Sequence, residues 1–258
     1  MTATDADELA ELRATVRRLE RRLERERAAQ EANRAKTRLL GSISHEVFTP
    51  VHQARGSLEL AMTAVDDHWV REQLHRAGEA LTAIERLFRN LLVVAEADTR
   101  GLQVNLTATV LPQLLDTALH HWRPRATAQG SLLVSEVTVP ADLVVSTDDL
   151  RLRHALDELL HNAVRFTRCG VVRVGAHRCD DEIVITVADE GPGLPAALVS
   201  HLFEPFDSDS DSRVGGGGGG GLGLGLAAAS RIAASLGGRL VRDEQPIGEQ
   251  FSLYLPAA

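Results

Sequence analysis

Cysteine is scarce in this chain: two in 258 residues, Cys169 and Cys179, ten positions apart. A disulfide framework or a structural zinc site needs more ligands at tighter spacing. Two buried or idle thiols in a reducing compartment are therefore expected. Basic residues are outnumbered by acidic ones, 28 to 36, for a formal net charge of -8. That balance argues against nucleic-acid binding, which wants a basic surface. Long hydrophobic runs are also missing. The longest uncharged stretch, Val214 to Ser230, holds nine glycines and ends at Arg231, whereas a membrane span needs roughly 20 apolar residues. The first turn is acidic and no apolar segment follows it, unlike a secretory signal. A cytoplasmic chain with no membrane span is expected.

What is present falls into three regions. In residues 1–38, Leu9, Leu12, Val16, Leu19 and Leu23 step by three and four, the spacing of a coiled-coil seam. The seam weakens beyond Leu23, and a single solvated helix is the alternative. In residues 39–100 the same rhythm runs through Leu40, Ile43, Val47, Val51, Ala54, Leu58, Ala61 and Val65. A polar Asp66-Asp67-His68 turn follows, and the rhythm resumes at Val70, Leu74, Ala77, Leu81, Ile84, Phe88, Leu91 and Ala95. Two helices alone bury too little, and Leu60, Leu87 and Leu92 widen the apolar stripe. A homodimer in which two hairpins form a four-helix bundle solves that problem.

Residues 105–258 mix the two periodicities. Helices are expected over Leu111–Trp122, Asp148–Phe166 and Leu222–Leu236. Strands are expected at Ser131–Val137, Leu143–Ser146, Gly170–Ala176, Glu182–Ala188, Arg239–Arg242 and Phe251–Leu255. The fold class that follows is α+β: a helical hairpin, then an α/β sandwich.

His45 lies two residues from both Ile43 and Val47. At 100° per residue it points about 200° away from the seam, into solvent, where a core histidine would not sit. Glu46 can hold the proton-bearing ring nitrogen and leave the other nucleophilic. Thr49, one turn on, offers a hydroxyl on the same face, and Pro50 bends the helix. Thr49 also breaks a zinc H-E-x-x-H pattern. The run Ser44-His45-Glu46-Val47-Phe48-Thr49-Pro50, with the lead-in Ala35 to Ile43, resembles the phosphoacceptor motif of two-component sensor histidine kinases. Phe48 stands where that family usually has Arg or Lys.

Further on, Glu158, Asn162 and Arg165 share one face of a helix at i, i+4 and i+7. They offer a carboxylate, an amide oxygen suited to Mg2+ and a cation suited to phosphate. An apolar strand ends in Asp189-Glu190-Gly191-Pro192-Gly193, where a carboxylate can accept an adenine amino group and glycines allow close approach. Then come Phe203-Glu204-Pro205-Phe206 and Gly221-Leu222-Gly223-Leu224-Gly225 opening a helix, a backbone suited to cradling phosphate. No strand precedes the glycine tract and no Gly-Lys-Ser/Thr follows it, which rejects dinucleotide and P-loop folds.

In order, these stretches resemble the nucleotide-binding boxes of the histidine-kinase catalytic domain. Gyrase, HSP90 and MutL share that fold (Bergerat, or GHKL). The resemblance implies ATP and Mg2+ as cofactors, with Asn162 on the metal, Arg165 on phosphate and Asp189 on adenine. Gly191, Gly193, Gly221, Gly223 and Gly225 would shape the pocket, and Glu158, Phe166, Phe203 and Leu224 would line it. It further implies autophosphorylation of His45 and transfer to an aspartate of a response-regulator receiver domain. Glu158 replaces a frequent asparagine, and the hydrolytic relatives use a carboxylate there as general base. Two alternatives stay open: a dimeric phosphotransfer scaffold with a degenerate ATP site, and an ATPase of the superfamily. The remaining histidines, His120, His121, His154 and His161 among them, are expected at the surface.

Overall fold

The computed structural model describes residues 51–63, 65–205 and 223–257. Residues 51–63 are helical (α1), and α2 spans His68–Arg100. Asp67 caps α2, accepting from the backbone of Trp69 at 2.8 Å and Val70 at 3.3 Å, which satisfies two of the amides a helix start leaves unpaired. Gly101, at φ +75°, ends it. The two helices are tied by Arg55 Nη1 donating to Glu85 Oε2 at 2.8 Å. Ile84 of the expected second-helix seam is 41% exposed in the single chain, and Leu60 on α1, expected to widen the apolar stripe, is 73% exposed. Among the described residues, no helix is long and apolar enough to cross a membrane.

A helix-and-sheet layer follows. Strands β1 (Thr107–Val110) and β3 (Val144–Thr147) form a small antiparallel pair. The main sheet has five strands in the order β2-β4-β5-β7-β6: β2 (Leu132–Val137), β4 (Val171–Cys179), β5 (Glu182–Asp189), β6 (Arg239–Asp243) and β7 (Glu249–Pro256). Only β2 and β4 run parallel. Period-two alternation sends Val172, Val174 and Ala176, then Ile183, Ile185 and Val187, then Phe251, Leu253 and Leu255 to one face. Helices α3 (Leu111–Ala128), α4 (Asp149–Phe166) and α6 (Leu224–Ser235) cover that face. Each fully buried aliphatic side chain there contributes roughly 1.5–3 kcal/mol. A short α5 (Ala196–Val199) follows the β5 loop.

The expected coiled coil over residues 1–38 and the first hairpin helix before residue 51 lie outside the described residues. The elements expected in residues 105–258 are present, with differences in extent, and α5 is an addition to them. Helix α3 runs six residues beyond Trp122, through Pro124. Residues 123–125 are exposed, so the hydrogen bond that proline removes is lost on the solvent side, where water replaces it. Strand β1 was not expected; it is four residues long and exists through pairing with β3 thirty-odd residues away. Strand β7 begins at Glu249 rather than Phe251 because the antiparallel register with β5 extends to the Asp189–Glu249 pair. Both cysteines are exposed free thiols, not buried ones.

Candidate nucleotide site

The apolar row of β5 that faces the helices, Ile183, Ile185, Val187, has Asp189 as its next member. Strand periodicity therefore aims this carboxylate into the sandwich at the end of the strand, where it is 9% exposed. Burial, then the charge of Glu249, pushes Asp189 up to about 6, against hydrogen bonds from the backbone of Gly191 and Glu249. The Gly191 N–H donates to Asp189 Oδ1 at 2.8 Å. A Cβ on Gly191 would stand 2.7 Å from that oxygen and 3.0 Å from the Phe166 carbonyl, so only glycine lets the loop lie against the end of α4. Gly193 has φ +74°, the left-handed region that glycine adopts without strain.

On α4, Asn162 and Arg165 are half-buried and Phe166 is 50% exposed, with the Arg165 guanidinium 5.1 Å from its ring. Burial, then the neighbouring Arg86, pulls the Arg165 guanidinium below its ordinary range. Glu158 does not share the exposure of its helix-face partners: it is 1% exposed. Its Oε2 accepts from Arg86 Nη1 of α2 at 3.2 Å. Burial raises the Glu158 carboxyl above its usual range, while Arg86 and a hydrogen bond from Asn90 oppose the rise.

The start of α6 closes the third side. Gly223 caps it in the left-handed conformation, Leu224 is buried, and a Cβ on Gly225 would come 2.5 Å from Glu158 Oε2. Arg231 of α6 donates to Asp98 of α2 at 2.9 Å and to the Phe203 carbonyl at 3.2 Å. The fold thus brings together Glu158, Asn162, Arg165 and Phe166, the Asp189–Gly193 loop, Phe203, and Gly223–Gly225. His45, Glu46, Thr49 and Gly221 lie outside the described residues.

His154 and His161 are a correction. Both are half-buried between α2 and α4 rather than on the surface. His154 Nε2 is 2.7 Å from Asn90 Oδ1, and His161 Nδ1 is 2.8 Å from Arg86 Nη1. Burial first, then nearby arginines, lowers His154 to about 4 and His161 to about 3. The His161 ring is therefore neutral at pH 7, and its Nδ1 accepts from Arg86. Trp122 holds the same helix from the other side, donating from Nε1 to Asp157 Oδ1 at 2.8 Å and meeting the His161 ring edge-on at 5.9 Å. Arg86, Asn90, Arg231, Arg242 and Glu249 were not found from sequence, since no motif contains them. The only signal was a charged or amide side chain interrupting an apolar seam or strand.

The family model described as histidine kinase-, DNA gyrase B- and HSP90-like ATPase matches residues 147–258. Among curated proteins, the virulence sensor protein BvgS of Bordetella bronchiseptica is 32% identical over 234 residues, covering 88% of this chain and 19% of that protein. The sensor histidine kinase RcsC of Salmonella typhimurium is 28% identical over 243 residues, covering 89% and 24%. The chain thus spans a quarter or less of these relatives. Among solved structures, full-length ShkA in complex with AMPPNP superimposes with a TM-score of 0.63 at 27% identity, covering 85% of this chain and 46% of that one. Acinetobacter baumannii histidine kinase AdeS shares the fold, at a TM-score of 0.58 and 21% identity over 83% of this chain and 98% of that one.

Proposed function

The chain belongs to the two-component sensor histidine kinases, and we propose that it uses ATP to phosphorylate its own His45 and then passes the phosphoryl group to a response-regulator aspartate. The observation that carries this reading is the meeting of three separated sequence stretches around one helix. The Asp189–Gly193 loop lies on the end of α4 through Gly191 and Phe166, and the start of α6 lies on Glu158 through Gly225. A slot bounded by a buried carboxylate, glycine backbone and a helix N-terminus suits an adenine nucleotide.

In this reading Asp189 accepts the adenine amino group and Arg165 contacts phosphate. Among the described residues no group of three or more His, Cys, Asp or Glu could hold a metal alone. Mg2+ commonly takes one or two protein ligands plus substrate phosphates, which fits Asn162 as its protein ligand. When bound, the ion neutralises charge that develops on the phosphates. A ring nitrogen of His45 attacks the γ-phosphorus in line, the bond to the β,γ-bridging oxygen breaks, ADP leaves, and Glu46 takes up the imidazole proton. Thr49 orients water beside His45 in this reading. The phosphoryl group then moves to a receiver-domain aspartate. The exposure of Ile84 on the seam and of Leu60 beside it supports a second copy of the hairpin completing a four-helix bundle.

A hydrolase would need Glu158 as a base beside water. Its carboxylate is buried and bonded to Arg86, which favours the kinase reading over an ATPase. The test is incubation with γ-labelled ATP and Mg2+. The expected label survives base and is lost in acid, as a phosphoramidate is. It is absent from His45→Gln, whose nucleotide affinity stays unchanged. Undiminished labelling of that variant, or an acid-stable label, overturns the assignment.

A further inference from the structure

We propose that Glu249, backed by Arg242, is a positioning residue that sets the width of the slot for the nucleobase. The inference rests on the nucleotide reading above and adds a residue to it. Glu249 begins β7 directly opposite Asp189 in the antiparallel register. It is a carboxylate at a strand end, yet 6% exposed. Its Oε1 accepts from the backbone N–H of Leu194 at 2.7 Å. The Arg242 guanidinium clasps both of its oxygens, Nε on Oε2 and Nη2 on Oε1 at 3.0 Å.

The loop Asp189–Leu194 is consequently fastened at both ends by carboxylates. Asp189 Oδ1 holds the Gly191 N–H, and Glu249 Oε1 holds the Leu194 N–H. A Cβ on Gly193 would lie 3.5 Å from Glu249 Oε1, and one on Gly248 would collide with the Asp189 carbonyl. The two strand ends are therefore in close contact, and the distance from the Asp189 carboxyl to the Gly193 backbone follows the Glu249 side chain. A buried second carboxylate beside Asp189 is costly unless paired and hydrogen-bonded. Arg242 and the Leu194 amide supply that compensation. A hairpin needing only stability would be served by an uncharged residue in this position. Glu190, the other acid of the loop, is turned away onto Arg173 and the Val171 amide of β4. The charge that bears on Asp189 is thus that of Glu249.

The test measures ATP KM, kcat for self-phosphorylation and ATP Kd on the full chain. Glu249→Ala is expected to raise KM and Kd about tenfold or more, the loss of one charge-assisted hydrogen bond, with kcat within about twofold. Glu249→Gln retains an oxygen for Leu194 N–H and recovers most of the affinity. The acid limb of ATP affinity should also move, to lower pH in Glu249→Gln and to higher pH in Arg242→Met, where the Glu249 charge is left uncompensated beside Asp189. A folded Glu249→Ala protein with unchanged KM, a fall in kcat at unchanged KM, or an unmoved acid limb in both other variants overturns the proposal. Wild-type protein that fails to bind ATP overturns the nucleotide reading itself; wild-type binding with an indifferent Glu249→Ala overturns this inference alone.

Discussion

Arg86 of α2 and Glu158 of α4 form an ion pair, 3.2 Å from Nη1 to Oε2, and the same Nη1 lies 2.8 Å from His161 Nδ1. One guanidinium therefore spans the junction between the helical region and the α/β layer. Because Glu158 is almost entirely buried, the pair is screened little by salt.

Arg86→Met should leave the Glu158 charge buried without its cation. Removing one partner of a buried pair costs on the order of 3 kcal/mol, and each kcal/mol shifts Tm by roughly 2–4 °C in a chain of this size. Thermal unfolding should therefore show a clear drop for Arg86→Met. In Arg86→Met/Glu158→Gln, where no charge is stranded, most of it should return. An unchanged Tm in the single variant would mean that the pair does not hold the junction.

ATP affinity should weaken below about pH 6, as the Asp189 carboxyl, pushed up to about 6, takes on a proton and loses acceptor capacity. The folding contribution has the opposite sign. This carboxyl is held above its ordinary range, so the folded state binds the proton more tightly. Its contribution favours folding at low pH and is lost as pH rises from about 4 through 6. Titrating ATP binding between pH 5 and 8 checks the first effect. Asp189→Asn should bind weakly at every pH and show no acid limb.

Asn162→Ala should raise the Mg2+ concentration needed for half-maximal labelling by about tenfold or more, the scale on which altered metal surroundings act. Excess Mg2+ should then restore part of the rate. An Mg2+ dependence identical to wild type would remove Asn162 from the metal site.

Gly225→Ala places a Cβ 2.5 Å from the buried Glu158 Oε2. Overpacking of this kind costs about 1–3 kcal/mol, and here it also presses on the carboxylate that Arg86 holds. Lower Tm together with faster amide exchange in α2 is the expected result. Gly78, on α2 with nothing within 4 Å of its would-be Cβ, is the control: Gly78→Ala should be neutral or stabilising, as Gly to Ala in an exposed helix usually is.

Much of the site was legible because local rules suffice for it. The three-four spacing from Leu152 to Val164 predicts a helix, and Asn162 and Arg165 then fall on one face whatever the rest of the chain does. The alternation from Ile183 to Val187 likewise puts Asp189 on the helix side of the sheet before any partner strand is known. Strand β1 was missed although Thr107, Ala108, Thr109 and Val110 alternate polar and apolar, because a strand of four residues running straight into a helix is fixed by its pairing with β3 rather than by its own pattern. The histidines at 154 and 161 were misjudged for a related reason. On α4 alone they belong to the polar face, and they become half-buried only when α2 packs over that face.

Sequence by itself therefore determined which residues are candidates for the nucleotide slot, since helix and strand periods and glycine's tolerance of close approach act within a few neighbours. Tertiary structure alone decided what surrounds them. Arg86 lies 72 positions from Glu158, Arg231 lies 133 from Asp98, and Leu194 lies 55 from Glu249. Contacts across such separations are set by how helices seat on the sheet and by strand register. Whether a carboxylate such as Glu158 or Glu249 is solvated or buried and paired depends on that seating, because the cost of burying charge is a property of the whole surrounding volume.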